Sequence, residues 1–129
     1  MTSQPPEDTV ESFRRAESLL ADRRPLEALK ALSPVLDSQP DEASVHLLAG
    51  RAYLESAQLR RAEAAFTRVI EIDQSDHYAR FALGKALQRQ SRLPEAQTQL
   101  KIAAAMDPRP EYQEALGEVK ARISVNSGE

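Results

Sequence analysis

The residues of this sequence that could carry chemistry are two histidines and the acidic side chains near them. His77 follows Asp73 and Asp76 within one short segment, and three such side chains can together bind a divalent metal ion. The same three residues also suit a solvated loop between two helices, and we favour that interpretation. For His46 we expect a packed or half-buried imidazole rather than a ligand.

Composition excludes several other functions. The chain has no cysteine for disulfides or thiolate metal sites, and its four glycines form no phosphate-binding loop. Its formal net charge of −3 gives no basic excess for nucleic acid. The longest apolar run, 102–106, is far shorter than a membrane-spanning helix. The N-terminal residues do not resemble a signal peptide. We therefore predict a cytoplasmic protein without catalytic activity, cofactor, bound metal, nucleic-acid partner or membrane insertion.

A 34-residue period runs through the chain. It separates Gly50 from Gly84 and Asp73 from Asp107. The same interval relates the members of two triplets, which are Ala28, Ala62 and Ala96, and Leu32, Phe66 and Leu100. A period of this length is typical of stacked pairs of helices.

The stretch from Leu47 to Ile72 shows what one repeat contains. Its apolar residues recur at intervals of three and four, first up to Leu54 and again from Leu59 onwards, which predicts two amphipathic helices. Small residues at Gly50 and Ala62 allow the two backbones to approach closely. Because neither helix could bury its stripe alone, we expect successive units to stack into one continuous core.

These residues resemble the tetratricopeptide repeat (TPR) family. Gly50 and Tyr53, followed by Ala62 and Phe66, match the small-x2-Tyr and Ala-x3-Phe elements of its pattern. The resemblance implies an all-α, right-handed solenoid of three helix–turn–helix hairpins plus a C-terminal capping helix. The predicted segments are a flexible tail 1–8, repeats 9–42, 43–76 and 77–110, a capping helix 111–123 and a flexible tail 124–129. We also expect Pro34 to kink or break its helix, and Ser75 or Asp76 to cap the first helix of the third repeat.

The resemblance also implies which residues line a concave binding groove. In this family the first helix of each repeat faces the groove, mainly through its second, fifth, ninth and twelfth positions, with the thirteenth at the rim. Our predicted groove residues are Phe13, Glu17, Leu20, Leu47, Arg51, Leu54, Tyr78, Phe81, Lys85, Gln88 and Arg89. Aromatic side chains and a strip of cations stand out among them, whereas the first repeat is more acidic.

The predicted function is that of an interaction adaptor or scaffold. Its groove would hold a peptide or helix of a partner protein that carries apolar and some acidic side chains. The family's carboxylate clamp for chaperone C-termini is not matched, because its positions hold Phe13, Glu17, Tyr78 and Ala82.

Several alternatives stay open. The protein could be a dedicated chaperone of a secreted or assembling client, or it could self-associate. Phe13 and Phe81 could instead stack neighbouring helices, with a terminus of the chain covering the groove. Frequent Ala and Arg are compatible with a GC-rich bacterial genome.

Overall fold

The structure is a computed structural model that describes residues 6–128. Within this range the regular structure is entirely α-helical. The helices are α1 (Pro6–Ala21), α2 (Pro25–Ser38), α3 (Ala43–Glu55), α4 (Leu59–Ile72), α5 (His77–Arg89), α6 (Leu93–Met106) and α7 (Pro110–Asn126). None of the described helices is long and apolar enough to cross a membrane.

The turn inside each hairpin repeats the same backbone conformation. Arg23, Ala57 and Ser91, spaced by the sequence period, have φ angles of 62°, 60° and 61°. In each turn the next amide N–H donates back to a carbonyl five residues earlier, as Gln58 does to Tyr53 at 2.8 Å. This left-handed turn closes the last carbonyls of the first helix. The 34-residue period is therefore present in the backbone as well as in the side chains.

Small residues let the two helices of each hairpin pack closely. Ala28, Ala62 and Ala96 are at most 1% exposed. A Cβ atom built on Gly50 would lie 2.6 Å from Cε1 of Phe66, so the Phe66 ring rests on the backbone of α3. Gly84 makes the equivalent approach to Leu100.

The hairpins stack in chain order, and α7 packs against α5 and α6. One cluster of buried residues joins the first two hairpins and another joins the second hairpin, the third and α7. Tyr53 packs against both clusters, so the core is continuous along the solenoid. This arrangement confirms the predicted all-α solenoid with a capping helix.

The structure corrects or refines several predictions about individual helices. Helix α1 begins at Pro6 and α7 continues to Asn126, so both helices extend into segments that we predicted to be tails. Residues 1–5 and 129 lie outside the described range. The predicted break at Pro34 is wrong, because α2 continues to Ser38, and buried Leu32 and Val35 hold it on either side of the proline. Asp76 is the cap of α5, and its side chain accepts the backbone N–H of Ala79 at 2.9 Å.

The contact at Gly50 predicts that substitution by alanine has opposite effects on stability at Gly50 and at Gly117. In Gly50→Ala the new methyl group meets a fully buried ring, and the overpacking outweighs the gain in helix propensity. We expect the free energy of unfolding, measured by urea titration with circular dichroism, to fall by about 1–2 kcal/mol. In the matched control Gly117→Ala the methyl group meets nothing within 4 Å, and stability should rise by about 1 kcal/mol. Equal shifts at both positions would contradict this packing.

Candidate functional site

The first helices of the three hairpins form a concave face. Helices α1 and α3 contact each other directly, as do α3 and α5. Within residues 6–128 the second helices, α2, α4 and α6, make no such contacts with one another. Because the first helices converge while the second helices spread, the solenoid curves around the face of α1, α3 and α5. That face is the groove in which the sequence places its candidate residues.

Most of the predicted groove residues reach the surface of this face, to different extents. Glu17, Arg51 and Arg89 are exposed, and Tyr78 is 37% exposed. The half-buried members are Phe13, Leu47, Leu54, Phe81, Lys85 and Gln88. Leu20 is a correction, because it is 3% exposed and packs with Ala16 and Ala28 in the core. It lies at the end of α1 beside the turn into α2, so its side chain fills the hairpin instead of facing a partner.

Phe81 belongs to an aromatic cluster that joins α5 to α7. Its ring stacks on that of Tyr112, with centroids 4.6 Å apart and planes inclined by 24°. Tyr112 is fully buried, and the Tyr78 ring lies 6.1 Å from Phe81 on the outer side. Phe81 therefore serves mainly to dock the capping helix. Tyr78 is the aromatic side chain of this cluster that retains surface for a partner.

His77 holds the same junction through polar contacts. Its Nδ1 atom lies 2.7 Å from the hydroxyl of Tyr112, and its Nε2 atom lies 3.2 Å from Oδ2 of Asp107. Arg109 donates to that carboxylate oxygen at 2.7 Å. A neutral imidazole with its proton on Nε2 satisfies both contacts, because it donates to Asp107 and accepts from the phenol.

The expectation that His77 sits in a solvated loop is wrong, since His77 is the first residue of α5 and part of a packed junction. Within the described residues, no group of three potential metal ligands is assembled. His46 is half-buried, and its Nε2 atom lies 2.7 Å from the carbonyl oxygen of Pro40.

Positive charge lies along the second and third hairpins of the groove. We call Arg51, Lys85 and Arg89 the basic strip. Among the side chains of residues 8–128 none of the three forms an ion pair, although Arg89 donates to the carbonyl oxygen of Leu54 at 3.0 Å. The guanidinium group of Arg51 and the ammonium group of Lys85 are therefore available to interact with an acidic partner.

The surroundings of Tyr78, which lies beside the basic strip, change the pKa of its phenol. Burial is the main cause that raises the pKa of its phenol, and the nearby Arg51 guanidinium opposes this rise. The carboxylates of Glu111, Asp76 and Glu55 add smaller contributions in the same direction as burial. Tyr78 therefore presents a neutral hydroxyl next to a cation, a combination suited to hydrogen bonding with a carboxylate.

A pocket of about 410 Å³ opens at the first-hairpin end of the groove. We call it the unit-one pocket, and it is lined by Thr9, Val10, Phe13, Arg14, Glu17, Val35, Gln39, Glu42, Ser44 and Val45. Sequence reasoning missed the contributions of α2 and of the turn before α3. The repeat register places only first-helix residues in the groove, whereas Val35, Gln39 and Glu42 reach it through the stacking of two hairpins.

Stacked helical hairpins with a concave inner face define a helical-repeat protein. Two sequence profiles, each described as tetratricopeptide repeat, match residues 19–80 and 81–122. Together they span well over half of the chain. The chain therefore belongs to the tetratricopeptide repeat family. No curated protein sequence matches it.

Solved structures with the same fold include several TPR domains. The first TPR of Spaghetti (RPAP3) bound to the HSP90 peptide SRMEEVD has a TM-score of 0.87 at 15% identity, covering 93% of this chain and 96% of that one. The second TPR domain of human RPAP3 in complex with the HSP70 peptide SGPTIEEVD has a TM-score of 0.83 at 19% identity, with coverages of 91% and 98%. The Sgt2 TPR domain from Aspergillus fumigatus has a TM-score of 0.85 at 16% identity, with coverages of 97% and 85%. At these identities the likeness concerns the fold.

The burial of Tyr78 and Tyr112 predicts a loss of stability at alkaline pH. Burial is the largest cause that raises the pKa of both phenols, so folding favours their neutral forms. The stabilisation they contribute is complete below about pH 10, the ordinary tyrosine value, and is lost as pH rises through the raised pKa values. We expect the urea midpoint of Tyr78→Phe/Tyr112→Phe to fall less than that of the native chain between about pH 9 and pH 11. Identical slopes for the two proteins would contradict the assignment.

Proposed function

We propose that this protein is an interaction adaptor that holds a segment of a partner protein in its concave groove. The observation that carries the proposal is the position of Tyr78 at the surface beside Arg51, with Lys85 further along α5, two cations outside the ion pairs of the described residues. An exposed aromatic ring and available cations on a concave face are typical of a protein-binding surface. The family and the peptide complexes of proteins with the same fold support the same conclusion.

The partner segment would carry acidic side chains opposite the basic strip and apolar ones along the half-buried floor. Leu47 and Leu54 of α3 provide that floor between the first and third hairpins. Apolar contacts would supply most of the affinity, and the cations would favour acidic partners and accelerate their association.

Chaperone C-termini bound through the family's carboxylate clamp are not the proposed partner. Two structural neighbours hold peptides that end in EEVD. In this chain the clamp positions of the first repeat are Phe13 and Glu17, and a carboxylate at Glu17 would repel the C-terminal carboxylate of such a peptide. In the third repeat a clamp position is occupied by Ala82. This residue is 2% exposed, and its methyl side chain has no polar atom that could bind a ligand. Among residues 8–128 no contact or charge specifically favours the dedicated-chaperone alternative.

A displayed library of random dodecapeptides tests the proposal directly. We expect the native chain to enrich peptides that contain both acidic and apolar residues. Arg51→Glu/Lys85→Glu should weaken binding of an enriched, fluorescently labelled peptide by about 5- to 30-fold, which corresponds to about 0.5–1 kcal/mol for each of the two charge contacts removed. Fluorescence anisotropy at two salt concentrations measures this, since the remaining affinity should depend less on salt.

The matched control reverses two exposed cations on second helices, outside the groove. Arg60 lies on α4 and Lys101 on α6, and both are exposed. Arg60→Glu/Lys101→Glu makes the same change in net charge and should bind the labelled peptide as the native chain does. If the library enriches no peptide, or if both double variants bind equally well, the proposed function is wrong.

A further inference from the structure

One position of the repeat distinguishes the two ends of the groove. Ser44, Tyr78 and Tyr112 are spaced by 34 residues, and each lies in the first turn of the helix that follows a hairpin. At the junction with the capping helix, the Tyr112 ring fills the space above Phe81, with centroids 4.6 Å apart. The residue equivalent to Phe81 in the first repeat is Phe13.

At the first junction the small Ser44 leaves this space unfilled by the side chains of residues 8–128. The result is the unit-one pocket, which both Ser44 and Phe13 line. Val35 and Val45 form its floor, being 2% and 4% exposed, and Val10 forms an outer wall at 46% exposure. A volume of about 410 Å³ lies within the usual range of ligand pockets, roughly 300–1,000 Å³. The chain thus keeps an aromatic-sized apolar pocket where its own repeat pattern twice supplies tyrosine.

The charged residues around this pocket differ from those of the basic strip. Two carboxylates, Glu17 and Glu42, and one cation, Arg14, line it. None of the three takes part in an ion pair among the described residues. The excess of negative charge would favour a cationic group beside the apolar side chain that enters the pocket.

We infer that the unit-one pocket binds an aromatic side chain of the partner segment, stacked on Phe13 as Tyr112 stacks on Phe81, with a cationic residue next to it facing Glu17 and Glu42. This inference rests on the proposed function, because it specifies the same bound segment. It also gives that segment a direction, with its aromatic and cationic part on the first hairpin and its acidic part on the basic strip. Stacked rings and desolvated apolar contacts are the usual anchors of such complexes.

Substituting Ser44 by tyrosine tests the inference, since the chain would then fill its own pocket. We expect peptides enriched by the native chain from the dodecapeptide library to share an aromatic residue with a neighbouring Lys or Arg. Ser44→Tyr should bind the labelled peptide at least about 10-fold more weakly, the loss of one buried aromatic anchor. Its thermal unfolding midpoint should not fall, because Ser44 is exposed and the new ring enters empty space. The control Ser124→Tyr, at an exposed serine of α7, should bind normally.

Two further variants keep the test independent of any effect of Ser44→Tyr on folding. Val10→Gln makes an outer wall polar, and we expect about a 3- to 10-fold loss of affinity, whereas Val125→Gln, at a 73% exposed valine, should have none. Glu17→Lys should abolish the preference for a cationic neighbour when the library selection is repeated, and Glu118→Lys on α7 should preserve it.

The outcomes separate this inference from the proposed function. If enriched peptides depend on Arg51 and Lys85 but bind Ser44→Tyr and Val10→Gln as tightly as the native chain, the pocket inference is overturned and the groove proposal stands. If enriched peptides lack a shared aromatic residue, the inference is likewise overturned. If the library enriches nothing, both fail together.

Discussion

The contact between the Phe66 ring and the backbone at Gly50 sets the geometry on which the rest of the structure depends. The ring occupies the space where any larger residue at position 50 would place its Cβ atom, so α3 and α4 pack more closely at that level than a larger residue would allow. Gly84 and Leu100 repeat the contact in the third hairpin. Among residues 6–128 the first helices of neighbouring hairpins contact each other and the second helices do not, so the stack of hairpins curves. The concave face is therefore a consequence of core packing and needs no binding residue to create it.

The residues that match the family pattern and the residues available to a partner lie on the same helices. Packing inside the chain determines the first set but not the second. Ala62, Phe66 and Gly50 are fixed by contacts inside the chain, so their types follow from the period alone. Arg51, one residue after Gly50, is exposed and subject to no packing requirement. Its charge is informative about the partner because the fold does not require a charged residue at this position. The same contrast explains why this chain can share a fold with domains that bind EEVD peptides and yet carry Glu17 where they would require a group that attracts a carboxylate.

The sequence predicted the solenoid and the order of the hairpins because these depend on local periodicity. It predicted less well wherever a residue's environment comes from a distant element. Leu20 has the register of a groove residue, but the turn at Arg23 brings α2 over it, and it is buried. Tyr112 continues the 34-residue spacing of Ser44 and Tyr78, but the spacing does not indicate that its side chain contacts His77 and Phe81, because both of these residues belong to α5. The unit-one pocket was not predicted, for a similar reason. It forms because the side chain of Ser44 is small, and a serine at this position does not by itself indicate a pocket.

The two ends of the groove differ in how much surface they can offer to a partner. At the third hairpin α7 already occupies the space above Phe81, so the remaining recognition there depends on exposed charge and the outer side of Tyr78. Exposed charges steer association and are screened by salt, and each adds little to the lifetime of a complex. At the first hairpin no aromatic ring of residues 8–128 pairs with Phe13, and apolar surface in a pocket is available for burial. Buried aromatic contacts act mainly by slowing dissociation. A segment bound across both ends would therefore associate through one and be retained through the other, which gives a short groove a way to select its partner without the clamp.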